Sequence, residues 1–137
     1  CQGSRFFAKN LPIPRPDEAI NLDMVGDKQL VLPIERYSLE YHPQLVRHLW
    51  DRAKEMGLDA FIGRVDYAIY DDHIPLNEIA GIPSIDLIDF KYPNSYANFW
   101  HTLNDIPENC SEESLGQVGD LMVDYIYNRE EQNRSEN

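Results

Sequence analysis

Apolar residues fall into short runs along this chain, and the runs switch between two periods. Ala19 to Val25 is a mostly apolar stretch ended by Gly26, which predicts a strand buried on both faces. Gln29 to Pro33 predicts a second strand, and residues 60 to 70 alternate enough to predict a third. Ser84 to Phe90 reads as a further, buried strand. Elsewhere the period is helical. His42 to Met56 predicts the clearest helix: Pro43 suits its first position, Gly57 suits the residue just past its end, and Leu45, Val46, Leu49, Trp50, Ala53 and Met56 share one stripe. Residues 2 to 10 read as the end of another helix, after which Pro12, Pro14 and Pro16 exclude regular structure up to about residue 17. Ser111 caps a last helix, with Glu112 and Glu113 in its first turn and Leu115, Val118, Met122 and Tyr125 as its buried stripe. From Asn128 onward no residue is apolar, which predicts a disordered tail over 128–137.

Strands alternating with amphipathic helices predict an α/β sandwich with a mainly parallel central sheet. At 137 residues and 42% hydrophobic content the chain is sized for one core, and the pattern assigns residues 1–127 to a single domain. Twelve basic against twenty-four acidic residues give a net charge of −12, which repels phosphate backbones and argues against nucleic acid as a partner. No apolar run approaches the roughly 20 residues that span a bilayer. The two cysteines, Cys1 and Cys110, form neither a disulfide framework nor a metal-ligand spacing. A chain that starts at Cys1 instead of Met reads as processed or as a piece. A lipidated N-terminal cysteine is the other reading, although the aromatic run Arg5-Phe6-Phe7-Ala8-Lys9 follows where a polar linker is expected.

Candidate chemistry concentrates between Asp71 and Thr102. Asp71-Asp72-His73-Ile74-Pro75 precedes Gly81-Ile82-Pro83 and the buried run, and Phe99-Trp100-His101-Thr102 follows it. Asp23, Asp71 and His101 each fall at or after a strand end, where open α/β sheets place ligands. Asp23 taken alone could equally cap the turn at Gly26-Asp27. Asp86 lies inside its strand, where it accepts hydrogen bonds from a neighbouring loop or supports a ligand site from behind. His48, beside the helix stripe, reads as a partly exposed helix residue.

These motifs, in this order, resemble the C-terminal half of the zinc-dependent aminopeptidase and glutaminyl cyclase superfamily. Gly3-Ser4-Arg5-Phe6 is similar to the helix after that family's catalytic glutamates, and Leu22-Asp23-Met24-Val25-Gly26 to its metal-site strand. The resemblance extends from residue 2 to about 127 and implies part of a three-layer α/β/α sandwich with a mainly parallel mixed sheet. It implies zinc as cofactor of the complete enzyme and a peptide or protein N-terminus as substrate. His101 matches a zinc ligand. Asp23 matches a carboxylate that binds metal in the two-zinc aminopeptidases and hydrogen-bonds in the one-zinc cyclases, and Asp71 matches the cyclase aspartate that pairs with it. Trp100 would wall the substrate pocket, and His73 would either contact substrate or brace its loop. A secreted or periplasmic location would accompany the resemblance.

Asp71-Asp72-His73, where aminopeptidases of the group tend to carry Ser-Asp-His, leans towards the cyclases, as does Trp before the metal histidine. Leu76 in place of the usual Phe, and Asp86 where animal cyclases carry His, lean away. Nothing in the chain matches the family's bridging Asp, ligand Glu or general-base Glu. Three expectations follow: a portion of a metalloenzyme that is inactive alone, a non-catalytic binding module, or a generic α/β interaction domain. A sheet cut in this way would also expose an edge near Ala19 to Val25 and invite self-association.

Overall fold

The structure is a computed structural model that describes the backbone of residues 1–135 and the side chains of residues 1–129. The chain opens with helix α1 (Gln2–Lys9) and, after the proline segment, enters strand β1 (Ala19–Asp23). Strand β2 (Leu32–Ile34), helices α2 (Arg36–Tyr41) and α3 (Pro43–Glu55) and strand β3 (Phe61–Val65) follow. A short helix α4 (His73–Pro75) runs into a π-turn over Leu76–Ala80 and then into strand β4 (Ser84–Ile88). A hairpin of β5 (Pro93–Asn94) and β6 (Ala97–Asn98), a 3₁₀ turn at Pro107–Asn109 and helix α5 (Glu112–Ser135) complete the order.

The expected parallel pairing is present as separate two-stranded ladders that lie side by side. β1 pairs with β4 and β2 with β3, both in parallel, whereas β5 and β6 pair antiparallel. β2 runs beside β4, and Val31 N–H on Asp89 Oδ2 (2.9 Å) ties the two ladders together. Every residue of β4 is buried, so β4 is the strand covered on both faces. β1, expected to be so, is covered on one side only and leaves Leu22 46% exposed at an edge.

One face of the sheet is apolar. Ile85 and Leu87 of β4 meet Leu32 of β2, Phe61 of β3, and the stripe Leu45, Val46, Leu49, Trp50 and Ala53 of α3. The Trp50 indole N–H points between the Leu32 and Ile62 carbonyls (3.2 and 3.1 Å), which seats α3 on both strands. α5 joins this layer through Val118, Leu121, Met122 and Tyr125. Leu115, expected in that stripe, is half exposed, because the face that meets the sheet starts one turn later and turns through Leu121. Ser111 caps α5 as expected, accepting from Ser114 N–H at 3.1 Å. The helix continues past Asn128, where the sequence predicts a tail, and residues 136–137 lie outside the described part.

The opposite face carries Asn21, Asp23, Ser84 and Asp86 and is covered by α4, with α1 packed on α4 and the π-turn, which makes the third layer. Two expected strands are shorter than predicted. Gln29 belongs to a turn closed by Leu30 N–H on the Asp27 carbonyl, and β2 begins only at Leu32. β3 ends at Val65, and residues 66–72 run on as a loop pinned by the Tyr67 hydroxyl, which donates to the Ile88 carbonyl (2.7 Å) and accepts from Phe90 N–H (3.0 Å). Gly57 (φ 73°) ends α3 and Gly81 (φ 61°) ends the π-turn, both in the left-handed region that favours glycine.

Candidate functional site

Because β1 and β4 are parallel, their carboxyl ends open on the same side of the sheet. Their register sets Asn21 directly beside Asp86, so the two side chains leave one face together. Asn21 Nδ2 donates to Asp86 Oδ1 at 3.0 Å and approaches Asp71 Oδ2 at 3.3 Å. Asp23 stands two residues further along that face, half-buried and adjacent to Asp71. Asp71 arrives on the loop after β3, which rests on α1: Cys1 Sγ lies 3.9 Å from Asp71 Oδ1, and Ser4 Oγ donates to Asp72 Oδ1 at 2.9 Å. Burial pushes the Asp23 carboxyl up to about 6, and the hydrogen bond and charge of Asp71 add to the rise. Two carboxyls this close do not ionise together readily, so Asp23 holds its proton to a higher pH than an ordinary carboxyl.

Beneath this pair lies a second, fully buried polar group. Asp86 donates its backbone N–H to Ser38 Oγ (2.8 Å), and burial pushes its carboxyl up to about 8, with the charges of Asp71, Asp23 and Glu35 acting in the same direction and the Asn21 hydrogen bond opposing them. His73 is fully buried and faces Asp86 and Glu35 rather than an open cavity. Glu35 caps α2. Its burial favours the neutral acid, but His73 and the backbone N–H groups of Ile69, Tyr37 and Ser38 reverse this and hold the carboxyl down at about 2.

Trp100 and His101 follow the β5–β6 hairpin. Their rings stack with centroids 4.1 Å apart at 22°, and His101 sits at φ 58° with its ring exposed. Trp100 leans on Phe90 (5.4 Å) and, with Asp23, Met24, Tyr92 and Asp105, lines a cleft of about 250 Å³. Asp23 and Trp100 thus share this cleft, Asp71 adjoins Asp23 outside its lining, and His101 stacks on Trp100.

An imidazole and a carboxylate are donor types that zinc accepts, and His101 and Asp23 supply one of each. Catalytic zinc sites commonly take three protein ligands. Among the described residues, the one group of three ligand-type side chains within reach of a common ion is Cys1, Asp71 and Asp72, which includes neither His101 nor Asp23. The residues present supply part of a zinc site and do not fit the ion by themselves.

Residues 1–126 match the family model of peptidase family M28. The chain belongs to this family. Among solved structures it is similar to Porphyromonas gingivalis glutaminyl cyclase, at 30% identity and a TM-score of 0.88 over 94% of this chain and 49% of that one. A Zn-dependent exopeptidase from Parabacteroides distasonis is 34% identical with a TM-score of 0.86, over 93% of this chain and 46% of that one. A leucine aminopeptidase precursor from Bacteroides thetaiotaomicron is 33% identical with a TM-score of 0.86, over 93% of this chain and 44% of that one. This M28 chain spans less than half the length of each of these structures. No curated protein matches it significantly. Family membership and the zinc-dependent neighbour make zinc the cofactor of the complete enzyme.

Glu35 and Asn21 escape the sequence reading. Asn21 had a signal, since it and Asp23 are polar residues two apart in an apolar strand and must share a face. Glu35 had a weaker one: a carboxylate three residues before Ser38, in the capping position of a helix that the apolar pattern does not mark.

Proposed function

We propose that this chain is the C-terminal portion of a glutaminyl cyclase-like M28 enzyme that acts on peptide N-termini. The observation that carries the reading is the half-buried Asp23–Asp71 pair beside the Trp100 cleft, an anionic pair suited to a substrate amine. Asp71-Asp72-His73 and the Trp100-His101 sequence support the cyclase branch of the resemblance. In the cyclase reaction the α-amine of an N-terminal glutamine attacks its own γ-amide carbonyl. The new C–N bond closes a five-membered ring, the old bond to the amide nitrogen breaks, and the proton shed by the amine leaves with ammonia.

Asp71 would hold and orient that amine, with the Asp23 carboxyl beside it adding to the negative field. Trp100 would wall the glutamine side chain from water. When bound, zinc supplies polarisation of the carbonyl, with His101 as one of its ligands. The bridging Asp and the Glu-Glu pair of the resemblance have no counterpart here, so the 137-residue chain is expected to be inactive alone.

Aminopeptidase chemistry is the second reading, supported by structural likeness to exopeptidase and aminopeptidase that is nearly as high as that to the cyclase. There Asp23 would be a ligand of one of two metal ions. Product analysis of a Gln-initiated peptide treated with the complete enzyme separates the two: ammonia and pyroglutamate support the cyclase, and released free glutamine discards it. The reading extends to assembly, because the open side of β1 and the cleft of about 490 Å³ between β1 and α5, lined by Ile20, Leu22, Met122 and Ile126, offer an apolar surface for self-association.

A further inference from the structure

The buried imidazole of His73 has no part in the reaction above. Neither of its ring nitrogens makes an aligned hydrogen bond. Nε2 lies 3.3 Å from Glu35 Oε2, and Nδ1 lies 3.8 Å from Asp86 Oδ2, an oxygen that is itself buried and without a partner. Glu35 is fixed as an acceptor. Its Oε1 takes the N–H groups of Tyr37 and Ile69 (both 3.0 Å), and its Oε2 takes the N–H and hydroxyl of Ser38 (2.6 and 2.8 Å).

Four donors converging on a buried carboxyl require it to be ionised, and a ring lone pair aimed at it would be repelled, so Nε2 bears a hydrogen. Nδ1 faces Asp86 Oδ2 across a gap too long for a hydrogen bond, and the bonded link between the two carboxyl residues is Ser38, whose hydroxyl donates to Glu35 Oε2 and accepts the Asp86 backbone N–H (both 2.8 Å). Asp86 Oδ1 accepts from Asn21, whose amide also approaches Asp71. A continuous hydrogen-bonded chain therefore runs from Glu35 and Ser38 of α2 through β4 and β1 to the amine-binding pair, with His73 of α4 packed between the Glu35 and Asp86 carboxyls.

We propose that Glu35, acting through Ser38, and His73, packed between the two carboxyls, are positioning residues that fix Asp86, so that Asp86 holds Asn21 and Asn21 holds Asp71 in place for the substrate amine. The role of Asp71 in this inference rests on the function proposed above, but the chain of contacts does not, and its test needs no substrate. The charged and titratable groups around Asp86 are Asp71 from the loop, Asp23 from β1, Glu35 from the α2 cap and His73 from α4.

The test is NMR of the Asn21 side-chain amide in the 137-residue chain between about pH 6 and 10, the range in which a carboxyl raised by burial loses its proton. If the clamp operates, the Asn21 amide resonances move with a midpoint of about 8, following Asp86. Asp86→Asn abolishes the movement. Glu35→Gln lowers the midpoint by about one pH unit, since it removes a like charge that raises Asp86. Static Asn21 resonances in the wild type, or a movement with a midpoint of about 8 that survives Asp86→Asn, overturn the proposal. Should Glu35→Gln not fold, Ser38→Ala, which removes the link between Glu35 and Asp86, takes its place, and Asn21 resonances and a midpoint that it leaves unchanged overturn the proposal. A positive titration with free glutamine as the enzymatic product would retain the clamp and discard the cyclase assignment, and the converse would discard only the clamp.

Discussion

Asp86 and Glu35 are both fully buried carboxyls, yet their surroundings move them in opposite directions, which fixes the sign of each one's contribution to stability. Asp86 shifts from an ordinary 3.8 to about 8 on folding, so between those values the folded chain holds a proton that the unfolded chain has lost. Stability therefore falls as pH rises through that window, by at most about 1.4 kcal/mol per pH unit for one group. Asp23, raised to about 6, adds to the fall over the lower part of it. Glu35, lowered from 4.5 to about 2, contributes stability that is present above pH 4.5 and lost as pH drops towards 2. Urea unfolding should thus show greatest stability at about pH 4 to 5, and Asp86→Asn should flatten the decline towards pH 8. An unchanged slope in that variant would contradict the assignment of the decline to Asp86. At the metal position, the isolated chain should bind zinc no better than a surface histidine pair. One tight site by titration calorimetry, abolished by His101→Ala, would show that the chain carries a complete ligand set.

At the scale of elements, packing ranks positions that the sequence pattern treats as equal. Leu121 is fully buried between α5 and the sheet, and truncation to Ala should cost about 2–5 kcal/mol through lost burial and the cavity left behind. Leu115, half exposed one turn earlier, should lose less than about 1 kcal/mol on the same change. Thermal denaturation of the two variants checks this, and equal losses would mean that α5 meets the sheet on a different face. Trp50→Phe keeps most of the apolar bulk but leaves the Leu32 and Ile62 carbonyls without their shared donor, for an expected loss of about 1–3 kcal/mol.

For the whole molecule, the decisive feature is the open side of β1. A strand paired on one side, with Leu22 exposed and an apolar cleft beside it, presents unpaired backbone groups and a surface that water solvates poorly. The net charge of −12 opposes contact at long range, but at ordinary salt it is screened within about 8 to 10 Å. The chain is expected to self-associate, and its apparent stability to rise with protein concentration. Sedimentation at several concentrations, together with a dye that reports exposed apolar surface, tests this. A concentration-independent monomer that binds no dye would show that the edge is not adhesive.

The α3 stripe, the buried run of β4 and the Ser111 cap were legible in the sequence because each depends on residues a few positions apart, within reach of a single period or capping bond. Order and spacing of motifs likewise carried the family, and with it zinc. The site was only half legible. Asp23 and Asp71 could be paired through the resemblance, but Glu35, His73, Asp86 and Asn21 lie on four different elements, and nothing local joins them. Burial misled for the same reason: the apolar runs of β1 and β4 read alike, and only the layer of neighbours decides that β4 lies in the middle and β1 at an edge. Sequence by itself determined the elements and the chemical types brought to the strand ends. Tertiary structure alone decided which carboxyl sits next to which, and so which keeps its proton, because that depends on distances of a few ångströms across a parallel register and on the water excluded by the layers above and below.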